Sequence, residues 1–276
     1  MQPPDPLPAE FAEAFASVSA RVGRLGRTIL FFSSIPSTND AASALASLRP
    51  TEGAIVIADM QTAGRGRRGR VWFSPPGAGL YVSVVLDPEQ SAGARDRAVA
   101  LLTLAAGVAI AEGIERATGL QAAIKWPNDL TVGGRKLAGI LAEGIAVPSA
   151  PGPGRVRAVV LGYGINIAPA AYPAELADRA TSIEFELGRP VDRGVVCAET
   201  IASLAARYDD LLAGRFDAIL GAWHQRAPGS RGATVSWDAQ GTTRTGVTAG
   251  LDSMGALLVV DGQRTERLIA GEVTWA

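Results

Sequence analysis

Apolar residues recur at Phe11, Phe15, Val18 and Val22, a helical spacing that predicts an amphipathic helix over residues 8–22. The run RTILFFSSIP then reads as a strand that Pro36 ends. Ser37 stands at an N-cap position with Asp40 three residues on, which predicts an alanine-rich helix over 38–48. Residues 54–59 and 80–86 are short apolar runs of strand composition, and 90–118 read as one long buried helix. Two further strands, 138–147 and 155–167, flank the loop PSAPGPG, whose three prolines and two glycines do not suit a sheet interior. Residues 192–226 read as two helices.

After Pro228 and Gly229 the texture changes. ATVSW, TRTGVTAGL, ALLVV and ERLIAGEVTW are short strands separated by DAQG, DSMG and DGQ. This all-β module of about 45 residues is too small for a large core of its own and is expected to dock on the rest. The organisation expected is a main domain over 1–227 and a small β domain over 228–276.

Composition narrows the chemistry. A hydrophobic share of 47% against 19% charged residues suits a globular core. The longest apolar stretch, residues 98–111, is shorter than the roughly 20 residues a bilayer span needs, so no membrane association is expected. The opening MQPPDPLPAEF carries acids and prolines where a secretion signal needs a basic start and an apolar run. One cysteine, Cys197, and one histidine, His224, exclude an intramolecular disulfide and any zinc site built from several such ligands. The lone thiol fits a reducing cytoplasm, and Cys197 reads as buried and His224 as structural. A net charge of −1 provides no basic excess for coating nucleic acid. Of the 26 basic residues, 24 are arginines; the two lysines, Lys125 and Lys136, lie eleven positions apart. Lysine is thus confined to one segment, where a compact, mobile charge differs in use from an arginine fork.

Three segments carry chemistry. In QTAGRGRRGRVWFSP, Gly64, Gly66 and Gly69 satisfy G-x-G-x-x-G. A dinucleotide site would require a helix to start there, and Pro75 and Pro76 forbid one. Its arginines, Arg65, Arg67, Arg68 and Arg70, form either a solvated basic loop or a glycine-hinged cover for a small anion. In AIKWPNDLTVGGRKLAGILAEG, residues 126–129 form a turn signature and Gly133-Gly134 a hairpin tip. Asn128 and Asp129 read as ordinary turn residues, and the presence of both lysines in this one segment weighs against so plain a role. In LGYGINI, Gly162 and Gly164 mark a close approach by a ligand or another backbone, or a β-bulge in a core strand.

Taken in order, SIPSTND, QTAGRGRRGRVWFSP, KWPNDL, GRKLAGIL and GYGINI resemble the biotin protein ligase family, the biotin–acetyl-CoA-carboxylase ligases. The resemblance runs from about residue 33 to about residue 168. It implies an α+β fold, a mixed β-sheet flanked by helices, with a small C-terminal SH3-like β-barrel. It implies ATP and biotin as substrates, Mg²⁺, a biotinyl-5′-adenylate intermediate, and transfer to a lysine of a biotin carboxyl carrier domain on a biotin-dependent carboxylase. A lipoate–protein ligase shares the adenylate logic, and a non-catalytic nucleic-acid binder using the arginine loop is the alternative from another class. Only 36 residues precede Ser37, fewer than the roughly 50 of a small domain, so no DNA-binding winged helix is expected.

Residue by residue, the resemblance places Ser37, Thr38 and Asn39 at the bicyclic head of biotin, with Gln61 on its ureido edge. Arg65, Gly66 and Arg67 fall in the biotin-and-phosphate loop, and Arg67 matches the residue that helps retain the adenylate. Trp72 covers the adenylate. Lys136 matches the lysine that meets the biotin carboxylate and the α-phosphate, the main catalytic charge. Asn128 and Asp129 match nucleotide and metal positions, Asp129 being the metal ligand; Lys125 supports the phosphates. Gly139 and Gly162 line the biotin pocket and Asn166 faces the nucleotide. Tyr163 departs from the smaller aliphatic residue common there, a difference expected at the pocket wall.

Overall fold

A computed structural model describes residues 2–48, 51–88, 91, 94–146, 156–170, 172–239, 241–262, 264–269, 271 and 273–275. The loop PSAPGPG lies outside the described residues.

Seven strands form the main sheet: β1 (Thr28–Phe32), β2 (Ala54–Ala58), β3 (Gly79–Leu86), β4 (Ala123–Lys125), β5 (Asp129–Val132), β6 (Arg135–Ala146) and β7 (Val156–Asn166). Their order is β1-β2-β3-β7-β6-β5-β4. Only β1 and β2 run parallel, and helix α2 (Thr38–Leu48) makes the crossover that a parallel pair requires. The remaining neighbours are antiparallel, so the sheet is mixed. Every residue of β2 and β3 is buried, because helices cover both faces, and this explains their continuous apolar runs.

One face packs against α3 (Arg95–Thr118), α6 (Arg193–Leu212), α1 (Ala9–Ser17) and α7 (Phe216–Arg226). Leu80, Val82, Val84, Leu161 and Ile165 point to this side. The other face packs on α2 through Phe32, Ala42, Leu45, Val56, Tyr81 and Val85. Helix α3 is long and apolar enough to cross a membrane, yet most of it is buried between the sheet and α6, as suits a core helix. Its Gly113 meets α6 so closely that an added Cβ would lie 2.4 Å from the Cα of Thr200.

A second, antiparallel sheet holds β8 (Arg231–Ala239), β9 (Thr242–Leu251), β10 (Leu257–Asp261), β11 (Arg264–Leu268) and β12 (Val273–Trp275), in the order β11-β10-β9-β8-β12. It docks as expected: Trp237, Leu257 and Val259 join the core that contains α3. The Trp126 indole N–H donates to the Gly255 carbonyl at 3.1 Å.

Several expectations are corrected. Helix α1 stops at Ser17, leaving Val18 and Val22 in turns; Val18 is nonetheless buried, so the periodicity reported burial beyond the helix. Strand β1 ends at Phe32, four residues before Pro36, and α3 begins at Arg95. The run ERLIAGEVTW is two strands, β11 and β12. The short β4 and β5, and the short helices α4 (Ala174–Ala177) and α5 (Ile183–Leu187), lacked enough residues to show a period.

Candidate active site

The floor of the site is the α2-side face of β3, β7 and β6. Cross-strand register sets Ser83 beside Gly162 and Leu141, and Tyr81 beside Gly164, Gly139 and Asp129. The glycines leave a depression where side chains would otherwise stand. Tyr163, between them, points the other way by strand alternation, and its hydroxyl lies 3.1 Å from Thr200 Oγ1 in the helix-covered core. The expected difference at the pocket wall is therefore absent: Tyr163 belongs to the opposite face, and burial pushes its phenol well above the ordinary value.

At one end of the floor the start of α2 brings together Ser37, Thr38 and Asn39, all buried. Ser37 Oγ accepts from Asp40 N at 3.4 Å, the cap its position predicted. A parallel bridge between Ile35 and Gln61 sets that residue beside the helix start. Gln61 Oε1 accepts from Thr38 N at 2.9 Å and Thr38 Oγ1 at 3.1 Å, while its Nε2 donates to Ser74 Oγ at 3.1 Å. Asn39 lies over Gly162, where an added Cβ would meet its Oδ1 at 1.9 Å. Its Oδ1 accepts from Ser83 Oγ at 2.6 Å and its Nδ2 donates to Glu143 Oε2 at 2.7 Å.

The arginine loop closes this end. A bridge joins Arg65 to Val71, and residues Arg67–Gly69 form a 3-10 turn. Arg68 holds φ 57 there, a left-handed conformation uncommon for a residue with a side chain. Arg65 Nη2 lies 2.7 Å from Asp40 and 2.8 Å from Glu143. Gly66 accompanies it, its N–H donating to the Arg70 carbonyl at 2.7 Å.

The other end is charged. Arg67 Nη1 donates to Asn128 Oδ1 at 3.0 Å, and Asn128 Nδ2 donates to the Ile140 carbonyl at 2.8 Å. Burial, then the nearby Arg68, lower the Arg67 pKa, and Asp129 works against them. Lys136 Nζ lies 2.7 Å from Asp129 Oδ1. That buried oxygen thus has the ammonium as its ion-pair neighbour. Lys125 is half-buried; burial lowers its pKa, opposed by Asp129 and reinforced by Arg179 and Lys136.

Trp72 spans the floor between the two ends. Its ring sits where Cβ atoms on Gly139 and Gly164 would stand, at 2.8 and 2.4 Å, and Lys136 Nζ lies 5.2 Å from its centroid. The indole N–H is buried without a hydrogen-bond partner. Asn166, assigned to the nucleotide, turns its amide inward and donates to the Thr181 carbonyl at 2.9 Å and the Lys136 carbonyl at 3.4 Å. It braces the backbone that carries Lys136, which itself bonds residues 179 and 181.

Residues 31–166 match the Biotin/lipoate A/B protein ligase family. The "Bifunctional ligase/repressor BirA" of Bacillus subtilis is 34% identical over 268 residues, covering 96% of this chain and 79% of that protein. The chain belongs to the biotin protein ligase family. The "Biotin--[acetyl-CoA-carboxylase] ligase" of Paracoccus denitrificans is 36% identical over 227 residues, covering 79% of this chain and 88% of that one. Among solved structures, "Biotin protein ligase from Aquifex aeolicus in complex with biotin and ATP" superposes with a TM-score of 0.76 at 25% identity, covering 91% of this chain and 99% of that chain. The mixed sheet with flanking helices and the SH3-like C-terminal sheet are thus the architecture of biotin protein ligases.

For a biotin protein ligase, four residues of the site escaped the sequence reading: Asp40, Ser74, Ser83 and Glu143. Ser83 had a signal, the one polar residue inside the apolar strand LYVSVVL. Glu143 had another, the one charged residue in the run AGILAEGIAV. His224 lies on α7, near Ser230, and Cys197 is buried in α6 with its thiol pKa raised by burial. Among the described residues no three His, Cys, Asp or Glu side chains gather as a metal site. Asp129 suits Mg²⁺ only together with nucleotide oxygens, the usual manner of that ion.

Proposed function

We propose that the chain joins biotin to ATP, releasing pyrophosphate, and passes the biotinyl group of the resulting adenylate to a lysine of a biotin carboxyl carrier domain. The observation that carries this reading is the layout of the pocket. The hydrogen-bonding end of Ser37, Thr38, Asn39 and Gln61 suits a bicyclic urea, and a cationic end suits a carboxylate beside phosphates. A glycine floor joins them.

The first step brings a carboxylate onto an already anionic α-phosphate. A new carboxyl O–P bond forms as the α–β phosphoanhydride breaks, and the electron pair leaves with pyrophosphate. The difficulty is repulsion between anions, and preorganised positive charge is its remedy. In this reading the incoming carboxylate and α-phosphate compete with Asp129 for the Lys136 ammonium. Arg67, already partly desolvated and steadied by Asn128, gains by meeting a phosphate oxygen. Lys125 adds charge behind them. Mg²⁺, when bound with ATP at Asp129, neutralises phosphate oxygens. Trp72 moves from the glycine floor to cover the intermediate and keep water out. In the second step the carrier lysine attacks the acyl carbon, an amide forms, and AMP leaves.

Residues 1–227 form the catalytic domain and 228–276 the SH3-like one in this reading. The macromolecular partner is the carrier rather than DNA, in keeping with a net charge of −1, and a cytoplasmic setting supplies ATP and suits the free thiol of Cys197.

The test is incubation of the purified protein with ATP and either biotin or lipoate, with mass detection of the adenylate. Biotinyl-5′-adenylate is the expected product. Adenylate from lipoate alone would overturn the reading, as would salt-dependent nucleic-acid binding with no adenylate from either acid.

A further inference from the structure

Glu143 stands on β6 four residues beyond Gly139, on the same face of the sheet. One of its oxygens, Oε2, accepts both from Asn39 Nδ2 at 2.7 Å and from Arg65 Nη2 at 2.8 Å. The two donors come from different elements: Asn39 from the first turn of α2, Arg65 from the mouth of the glycine–arginine loop. Asp40 Oδ1 lies 2.7 Å from the same Arg65 nitrogen.

The Asn39 amide can in principle sit in either of two flips. A carboxylate only accepts hydrogen bonds, so Glu143 must face the NH₂ group. The carbonyl then points at Ser83, whose hydroxyl donates at 2.6 Å from a fully buried position on β3. Glu143 thus leaves a single orientation, with the carbonyl over Gly162. The Arg65 contact is charge-assisted and joins the loop to the sheet.

We propose that Glu143 is a positioning residue of the ligase. It fixes the Asn39 amide at the biotin head and latches the Arg65 end of the loop over the pocket. This inference rests on the biotin reading of the site and acts at the Ser37–Asn39 end; Arg67, Asp129 and Lys136 lie at the other. Because both bonds go to one oxygen, Glu143→Gln retains an acceptor with two lone pairs, whereas Glu143→Ala retains none.

Glu143→Ala is expected to raise the KM for biotin about tenfold or more, while the KM for ATP stays within about twofold. Glu143→Gln is expected to restore the biotin KM to within about threefold of wild type. A merely structural role would move both KM values together and gain nothing from the glutamine. A second arm needs no ligand: trypsin should cut within residues 64–70 faster in Glu143→Ala than in the wild type or Glu143→Gln. An unchanged biotin KM in Glu143→Ala, equal rises for both substrates, or a glutamine variant as impaired as the alanine one would overturn the proposal. Should the wild type make no biotinyl adenylate, the reading of the substrate fails, and trypsin alone then decides the latch. Faster cleavage in Glu143→Ala supports it and equal cleavage refutes it.

Discussion

Lys136 Nζ and Asp129 Oδ1 face each other at 2.7 Å across the neighbouring strands β6 and β5. The ammonium also lies over the Trp72 ring, so it sits among the carboxylate, the indole and the glycine floor. Lys136→Ala is expected to slow adenylate formation about 100- to 1,000-fold, the scale for losing one preorganised charge. Pyrophosphate release measures it, with circular dichroism as the check on folding. A variant within a few-fold of wild type would remove Lys136 from the chemistry.

Arg67 reaches across the pocket mouth to Asn128, so the loop and the 126–129 turn are joined by one guanidinium. Arg67→Gly removes that tie and the charge together. Adenylate synthesis is expected to persist, with the reactive intermediate escaping into solution. Biotin should then appear on lysines of a bystander protein such as albumin, detected by avidin blot. Retention equal to wild type would contradict the role.

Much of this site is legible in the sequence, because its residues come in contiguous segments with turn and strand punctuation. Ser37 as a cap, the Gly133-Gly134 hairpin tip and the pairing of the two strands before and after PSAPGPG are local matters, and local signals carried them. What escaped is what only the register decides. Glu143 and Ser83 meet Asn39 because β6 and β3 both neighbour β7 and present the same face. Tyr163 misled because its glycine neighbours drew it into the pocket, whereas alternation sends it to the helices. Asn166 spends its amide N–H groups on backbone carbonyls, which a strand-end amide can serve as well as a ligand.

Gly164 tests the fit of Trp72. An added Cβ there would meet the indole Nε1 at 2.4 Å and Cε2 at 2.5 Å, too close for either to stay. Gly164→Ala should therefore push Trp72 off the floor and narrow the pocket. The expected readings are a tryptophan emission change that disappears in a Trp72→Phe background, and a biotin KM raised about tenfold or more. Unaltered emission together with an unaltered KM would show that the indole does not rest there.

Two helical glycines should respond to alanine in opposite senses. Gly221 in α7 has nothing within 4 Å of an added Cβ, so Gly221→Ala should stabilise the fold by about 0.5–1 kcal/mol through helix propensity. Gly113 in α3 faces the backbone of α6, with Thr200 Cα at 2.4 Å and Thr200 N at 2.7 Å. Backbone cannot rotate aside, so Gly113→Ala should destabilise by about 1–3 kcal/mol despite the same propensity gain. Calorimetric melting of both variants decides it. A rise in melting temperature for Gly113→Ala would mean the two helices are not in close contact.

Asp252 gives the C-terminal sheet an acid-sensitive turn. Burial pushes its carboxyl pKa up, but a hydrogen bond from Arg267 and the backbone N–H groups of Ala256 and Met254 outweigh that and hold it below the ordinary carboxylate value. The Met254 and Ala256 bonds are 2.8 and 3.0 Å, and Arg267 Nε lies 2.6 Å away. With the folded pKa below the unfolded one, the unfolded chain takes up the proton first as pH falls. The stabilisation is therefore complete above the unfolded value and is lost as pH drops through the lowered one. Asp252→Asn keeps an acceptor for the turn but not the charge. It should melt below wild type at about pH 7, and the gap should be smaller in acid, at about pH 3. A gap of the same size at both pH values would mean that the turn, and not the ionised carboxylate, carries the stability.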